Sequence, residues 1–122
     1  MSAVNIIIHG FGGTAGDIQY LADHLSAKGL NIDVVSLAGH GGTKKELWAS
    51  THTDWVGSVA DAVEKRLGAC SSINLIGFSM GGLIAANVAA AQTAAVNKIV
   101  FINSPIYVWN PKIIFADIFI YK

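Results

Sequence analysis

This 122-residue sequence predicts an α/β fold: a parallel sheet of about four strands with helices on both faces, a three-layer sandwich. Three observations predict it. Four short runs, VNIII (4–8), IDVVSL (32–37), INLI (73–76) and KIVFIN (98–103), are rich in β-branched residues and bounded by Gly, Asn or Ser. They are apolar nearly throughout, as expected of parallel strands covered on both faces, whereas half-buried strands alternate. Segments of helical periodicity separate them, and that alternation gives right-handed crossovers and a parallel sheet. The composition agrees: 52% hydrophobic, 13% charged, mean hydropathy +0.50. An average chain carries roughly 25% charged residues, so much of this one is buried or covered by a partner.

The helices follow from spacing. Over residues 17–28, Ile18, Leu21, Ala22 and Leu25 recur at i, i+3, i+4 and i+7, and Gly29 stands where a C′ glycine belongs. Over 54–67, Trp55, Val56, Val59, Val63 and Leu67 form one stripe, with Thr53 as N-cap and Gly68 past the end. From Met80 to about Gln92 the chain is Ala-rich and apolar all round, a helix buried on most sides. The glycine-rich stretch LAGHGGTKKELWASTH (37–52) reads as a long surface loop. After Pro105 no clean period remains, leaving either a short helix around 112–120 or a segment that awaits other structure. No repeat or linker divides the chain, so residues 1–122 are expected to be a single domain.

Eight basic and eight acidic residues cancel and never cluster beyond pairs, which leaves no nucleic-acid footprint. The lone Cys70 permits neither an internal disulfide nor a zinc site and is expected to be a packed thiol. The N-terminus has no signal-peptide pattern. The apolar run 99–121 is interrupted by Asn103, Pro105, Asn110, Pro111, Lys112 and Asp117, so no membrane span is expected. A cytoplasmic protein without cofactor or metal is the expectation.

Gly77-Phe78-Ser79-Met80-Gly81 is G-x-S-x-G, with a strand before it and a helix after it. Such a turn lifts the serine hydroxyl above the C-terminal edge of a sheet, and small residues at 77 and 81 let strand and helix approach. Ser79 is the candidate nucleophile, and the Met80 N–H a candidate oxyanion donor. The second donor is expected from the loop after an earlier strand, where Phe11 lies within HGFGG (9–13). Residues 10–15 also match G-x-G-x-x-A, a dinucleotide fingerprint. That reading needs an acid at the end of the second strand, and Asp33 falls at its beginning. No Gly-Lys-Ser/Thr supports a P-loop.

In order along the chain, HGFGGTAGD, LAGHGG, Thr53-Asp54-Trp55, GFSMGG and INSPIY resemble the α/β-hydrolase superfamily, and within it the small carboxylesterases and monoacylglycerol-lipase-like enzymes. The resemblance implies acyl-ester hydrolysis with Ser79 as nucleophile, the Phe11 and Met80 N–H groups as oxyanion hole, and a structural role for His40. It also implies that the four strands are the family's third to sixth, in spatial order second, first, third, fourth.

Family members carry the triad in the order Ser, acid, His. Here all four histidines, His9, His24, His40 and His52, precede Ser79, and Asp117 is the only acid after it. His9 is expected to brace the oxyanion loop and His40 its own glycine loop, with His24 on a polar helix side and His52 before an N-cap. The triad acid and histidine are therefore unassigned. The chain is expected to be the N-terminal portion of such a fold, with 106–122 starting its cap, and to be nearly inactive as an esterase. The other reading is a naturally short, non-catalytic binding domain. An edge strand at 98–103 and the apolar 106–121 tail lead to a further expectation, a homo-oligomer.

Overall fold

The computed structural model describes residues 2–105. Its strands are β1 (Ala3–Ile8), β2 (Asn31–Val35), β3 (Ser72–Phe78) and β4 (Val96–Ile102). All pair in parallel in the order β2-β1-β3-β4, the arrangement that the resemblance implies. Between them lie a 3-10 turn (Ala15–Ile18) and helices α1 (Gln19–Ala27), α2 (Lys44–Ala49), α3 (His52–Glu64) and α4 (Met80–Ala91).

Because side chains alternate along a strand, β1 feeds two cores. Val4, Ile6 and Ile8 join Leu75 on one face, under Val59 and Val63 of α3 and Ile84, Ala85 and Val88 of α4. Ile7 and Ile76 face the other way, against Ile18 and Ala22. Helices thus cover both faces, though unevenly. On edge strand β4, Val100 and Phe101 stay about half exposed, so the expectation of strands covered on both faces fails there.

A line of asparagines crosses the face that carries α1. The Asn97 amide donates to Asn74 Oδ1 (3.1 Å), Asn74 to Asn5 Oδ1 (3.0 Å), and Asn5 to the Asn31 carbonyl (3.2 Å). These polar interruptions in otherwise apolar runs therefore satisfy one another. On β2, Asp33 holds the Arg66 guanidinium by two contacts, Nε–Oδ2 at 2.6 Å and NH2–Oδ1 at 2.5 Å. The acid that the dinucleotide reading requires is thus committed to an ion pair beneath the end of α3.

Local chemistry shifts several boundaries. After α1, the Leu30 N–H reaches the Leu25 carbonyl and the Gly29 N–H the Ser26 carbonyl, a Schellman closure with Gly29 at φ +85° as expected. Helix α3 begins earlier than expected: Thr51, not Thr53, is its N-cap, because the Thr51 N–H donates to Asp54 Oδ2 (2.8 Å). His52 is consequently the first helical residue. The helix also ends at Glu64, which leaves Leu67 in the following turn and 53% exposed, outside the stripe. The 37–52 loop contains α2, closed by a Thr43/Glu46 capping box. Cys70 is a part-buried free thiol donating to the Arg66 carbonyl. The expectations for 106–122, Asp117 included, lie outside the described residues.

His9 is the one fully buried polar residue among those described. Its Nδ1–H donates to the Gly10 carbonyl (2.9 Å), and its Nε2 accepts the Leu37 N–H (3.1 Å), tying the end of β1 to the chain leaving β2. Burial lowers its pKa below 6.5, with the nearby His40 adding to the effect, while the Gly10 carbonyl and Asp17 oppose it. The unfolded chain therefore binds a proton that the folded one refuses. Stability from neutral His9 is complete above about pH 6.5 and declines as pH falls toward the depressed folded value. Urea midpoints at pH 7.5 and 5.5 should show the acid loss, and His9→Gln should reduce that pH dependence; an unchanged slope in the variant refutes the assignment.

Two helical glycines give opposite predictions. A Cβ at Gly81 would collide with the Ile8 and His9 carbonyls, whereas a Cβ at Gly57 in α3 meets nothing within 4 Å. Gly81→Ala should cost about 1–3 kcal/mol through overpacking. Gly57→Ala should gain up to ~1 kcal/mol through helix propensity. Chemical denaturation of both variants checks the signs.

Candidate active site

Between the last residue of β3 and the first of α4 stands one residue, Ser79, at φ 53° and ψ −122°. An L-residue held there stores on the order of 1–3 kcal/mol, so the surroundings must impose it. The Ser79 N–H donates to the Ile102 carbonyl of β4 (2.9 Å), and its carbonyl accepts the Gly82 N–H (3.1 Å). Gly77 faces the backbone of Gly81 and Gly82 so closely that a Cβ has no room, and Gly81 sits likewise on β1. The chain therefore reverses from strand to helix in one residue. Ser79 is half-buried, and Met80 opens α4, where a first-turn N–H has no intrahelical acceptor.

The loop after β1 comes directly to this serine. A Cβ on Gly10 would lie 3.3 Å from Ser79 Cβ and 3.5 Å from the Phe78 carbonyl oxygen. The turn that follows is closed by the Gly13 N–H on the Gly10 carbonyl (3.2 Å) and carries Phe11 outward, 42% exposed. The Phe11 ring packs against His40 and Trp55, with centroids 5.9 and 5.4 Å away. His9 and His40 stand 5.1 Å apart edge to face, and His40 and Trp55 5.5 Å.

Hydrogen bonds hold that cluster from outside. His40 Nδ1–H donates to the Ala38 carbonyl (3.0 Å), and the Ala38 N–H to Ser58 Oγ (3.0 Å), whose hydroxyl donates to the Asp54 carbonyl (3.1 Å). Trp55 Nε1–H donates to Ser50 Oγ (2.9 Å), which donates to the Leu47 carbonyl (2.7 Å). Spacing assigns Trp55 only to the apolar stripe of α3; its contact with Phe11 needs the fold. Ser50 and Ser58 carry no sequence signal for their roles.

No hydrogen bond joins any of the four histidines to Ser79 among the described residues. His24 stacks on exposed Tyr20 of α1, and His52 lies exposed at the start of α3. No cluster of three or more His, Cys, Asp or Glu side chains suited to a metal occurs among the described residues. A cavity of about 260 Å³ lies between the two glycine-rich loops, bordered by Gly12, Thr14, His40, Lys44 and Leu47. A larger one, about 510 Å³, opens between β2 and α3 beside Asp33 and Arg66; it reaches Ser58 but not Ser79, Gly10 or Phe11.

The sequence matches the alpha/beta hydrolase fold family over residues 6–120. It is 32% identical over 79 residues to a thermostable monoacylglycerol lipase of Bacillus sp. (strain H-257), covering 65% of this chain and 32% of that protein. It is 25% identical over 117 residues to a carboxylesterase of Bacillus subtilis (strain 168), covering 95% and 47% respectively. A solved structure reported with the metagenome-derived lipolytic enzymes LipS and LipT matches with TM-score 0.83 and 27% identity, over 92% of this chain and 46% of that one. The chain thus spans 32–47% of the length of these relatives. With a G-x-S-x-G turn seated against the loop after β1 in a β2-β1-β3-β4 parallel sheet, this chain belongs to the α/β-hydrolase family.

Proposed function

We propose that Ser79 is the nucleophile of a carboxylic-ester hydrolase. The observation that carries the reading is the positive φ of Ser79 together with the close approach of Gly10, where an added Cβ would lie 3.3 Å from Ser79 Cβ; the half-buried serine, the first turn of α4 and the loop after β1 thus meet at one point. Ser79 Oγ attacks the ester carbonyl, and the Phe11 and Met80 N–H groups receive the developing oxyanion. Gly77 and Gly81 give the turn its shape. Collapse releases the alcohol and leaves an acyl-serine, which water hydrolyses.

A proton acceptor for Ser79 is not among its described partners, so the full cycle is proposed for the whole hydrolase fold. In the 122-residue chain the chemistry is expected to be close to background: losing triad function costs up to roughly 10⁶-fold in kcat. The same proposal includes a cytoplasmic setting, in keeping with a single free cysteine. It also includes self-association through the half-exposed β4 edge or the tail after it. No helix among the described residues is long and apolar enough to cross a membrane.

Incubation with a fluorophosphonate should label the chain slowly and stoichiometrically at Ser79, with no label in Ser79→Ala, while p-nitrophenyl butyrate turnover stays near background in both. Absence of Ser79 labelling would remove the nucleophile assignment. Serine-dependent turnover at ordinary enzyme rates would refute the expected near-inactivity. Sedimentation as a monomer at micromolar concentration would sink self-association.

A further inference from the structure

The cavity of about 510 Å³ between β2 and α3 has no part in the reading of Ser79. It follows the outer side of β2, an edge strand with no described strand beyond it. Val35 and Ala62 supply an apolar stretch of its wall, and Ser58, Asp33, Lys65 and Arg66 a polar one.

Charge on that wall is unbalanced. Asp33 is the one acid among the lining residues, and its two oxygens already meet Arg66 Nε (2.6 Å) and NH2 (2.5 Å) along one edge of the guanidinium. A guanidinium has five N–H donors, so the other terminal nitrogen of Arg66 keeps its own. Both side chains of the pair are about a third exposed, 36% and 32%, which leaves those donors within reach. Lys65 is exposed and has no partner among the described residues. Two cations thus face the cavity against one engaged carboxylate.

These walls select among guests. A cation is repelled, and a wholly apolar molecule would strip water from the ion pair and replace none of it. A bare inorganic anion meets the donors but leaves most of the space empty, since cavities of about 300–1,000 Å³ suit small organic ligands. A head with two or more anionic oxygens matches the guanidinium fork and the ammonium. A short aliphatic body then covers the apolar stretch.

We propose that the cavity between β2 and α3 is a binding site for a small organic anion, its carboxylate or phosphate-ester head on Lys65 and Arg66 and its aliphatic body against Val35 and Ala62. The site stands apart from Ser79 and does not depend on the role of that residue. Ser58, in the wall, accepts the Ala38 N–H (3.0 Å), so the Ala38 amide reports occupancy.

The test is titration of the ¹⁵N-labelled 122-residue chain, at constant ionic strength, with hexanoate, butyl phosphate, hexanamide and inorganic phosphate. At least one of the two organic anions should shift the Val35, Ala38, Ser58 and Arg66 amides saturably, and the tighter of them identifies the head group. Hexanamide and inorganic phosphate should bind far more weakly. Lys65→Gln, which removes no described contact, should weaken the organic anion about fivefold, the scale of one exposed unit charge at contact distance. Asp33→Asn frees the guanidinium and should tighten binding by a similar factor, with the spectrum itself checking the fold. No saturable shift with either organic anion, equal binding of hexanamide, or affinities unmoved in both variants overturns the site. So do shifts that gather instead around Gly12 and Thr43, at the other cavity.

Discussion

Helix α4 meets strands β1 and β3 backbone to backbone, and the geometry of the site depends on that approach. Gly77 and Gly82 face each other across the turn, and Gly81 rests on the carbonyls of Ile8 and His9, with no side chain between the elements. Any Cβ at Gly77 or Gly81 would push the helix away. Ser79 is then the one residue left to reverse the chain, and its positive φ is the geometric consequence. The same approach sets the first turn of α4 beside the loop leaving β1. Strain at Ser79 is sustained because rigid neighbours on two strands and a helix over-determine it.

A second layer of order holds the loops above the sheet. His9 is buried without charge and spends both ring nitrogens on backbone groups of different loops. In a low-dielectric interior such a satisfied polar group is worth more than at the surface, and leaving its partners bare would cost about 1–3 kcal/mol. Around it His40, Phe11 and Trp55 pack ring on ring, so the loop bearing Phe11 leans on α3 as well as on β1. The rigidity of the loop therefore comes from tertiary contacts more than from its own glycine-rich backbone.

Site and sheet edge are linked through β4. Its Ile102 carbonyl fixes the Ser79 amide, while its outer side leaves Val100 and Phe101 half exposed. An unpaired, apolar edge is the surface on which a sheet extends. The chain spans less than half of the length of these relatives. The G-x-S-x-G turn itself is built by local sequence, whereas the loop after β1 reaches it only through the fold. A triad is assembled from loops far apart in the chain.

The sequence by itself determined the strands, the order of the sheet through its motifs, the capping glycine at 29 and the G-x-S-x-G turn, because each rests on apolar runs, local spacing or small residues in contact with near neighbours. It was less reliable at boundaries. Thr51-x-x-Asp54 won over Thr53 as cap, and the Thr43/Glu46 box made a helix where glycine and lysine suggested loop. Both boxes were present as T-x-x-D and T-x-x-E but lay inside a stretch whose composition spoke for a loop. Only the tertiary structure decided that Trp55 supports Phe11, that Ser58 holds the His40 loop, and that asparagines pair across three strands. Those pairs join residues 20 to 69 positions apart, and no local periodicity carries information about which side chains the sheet will bring together.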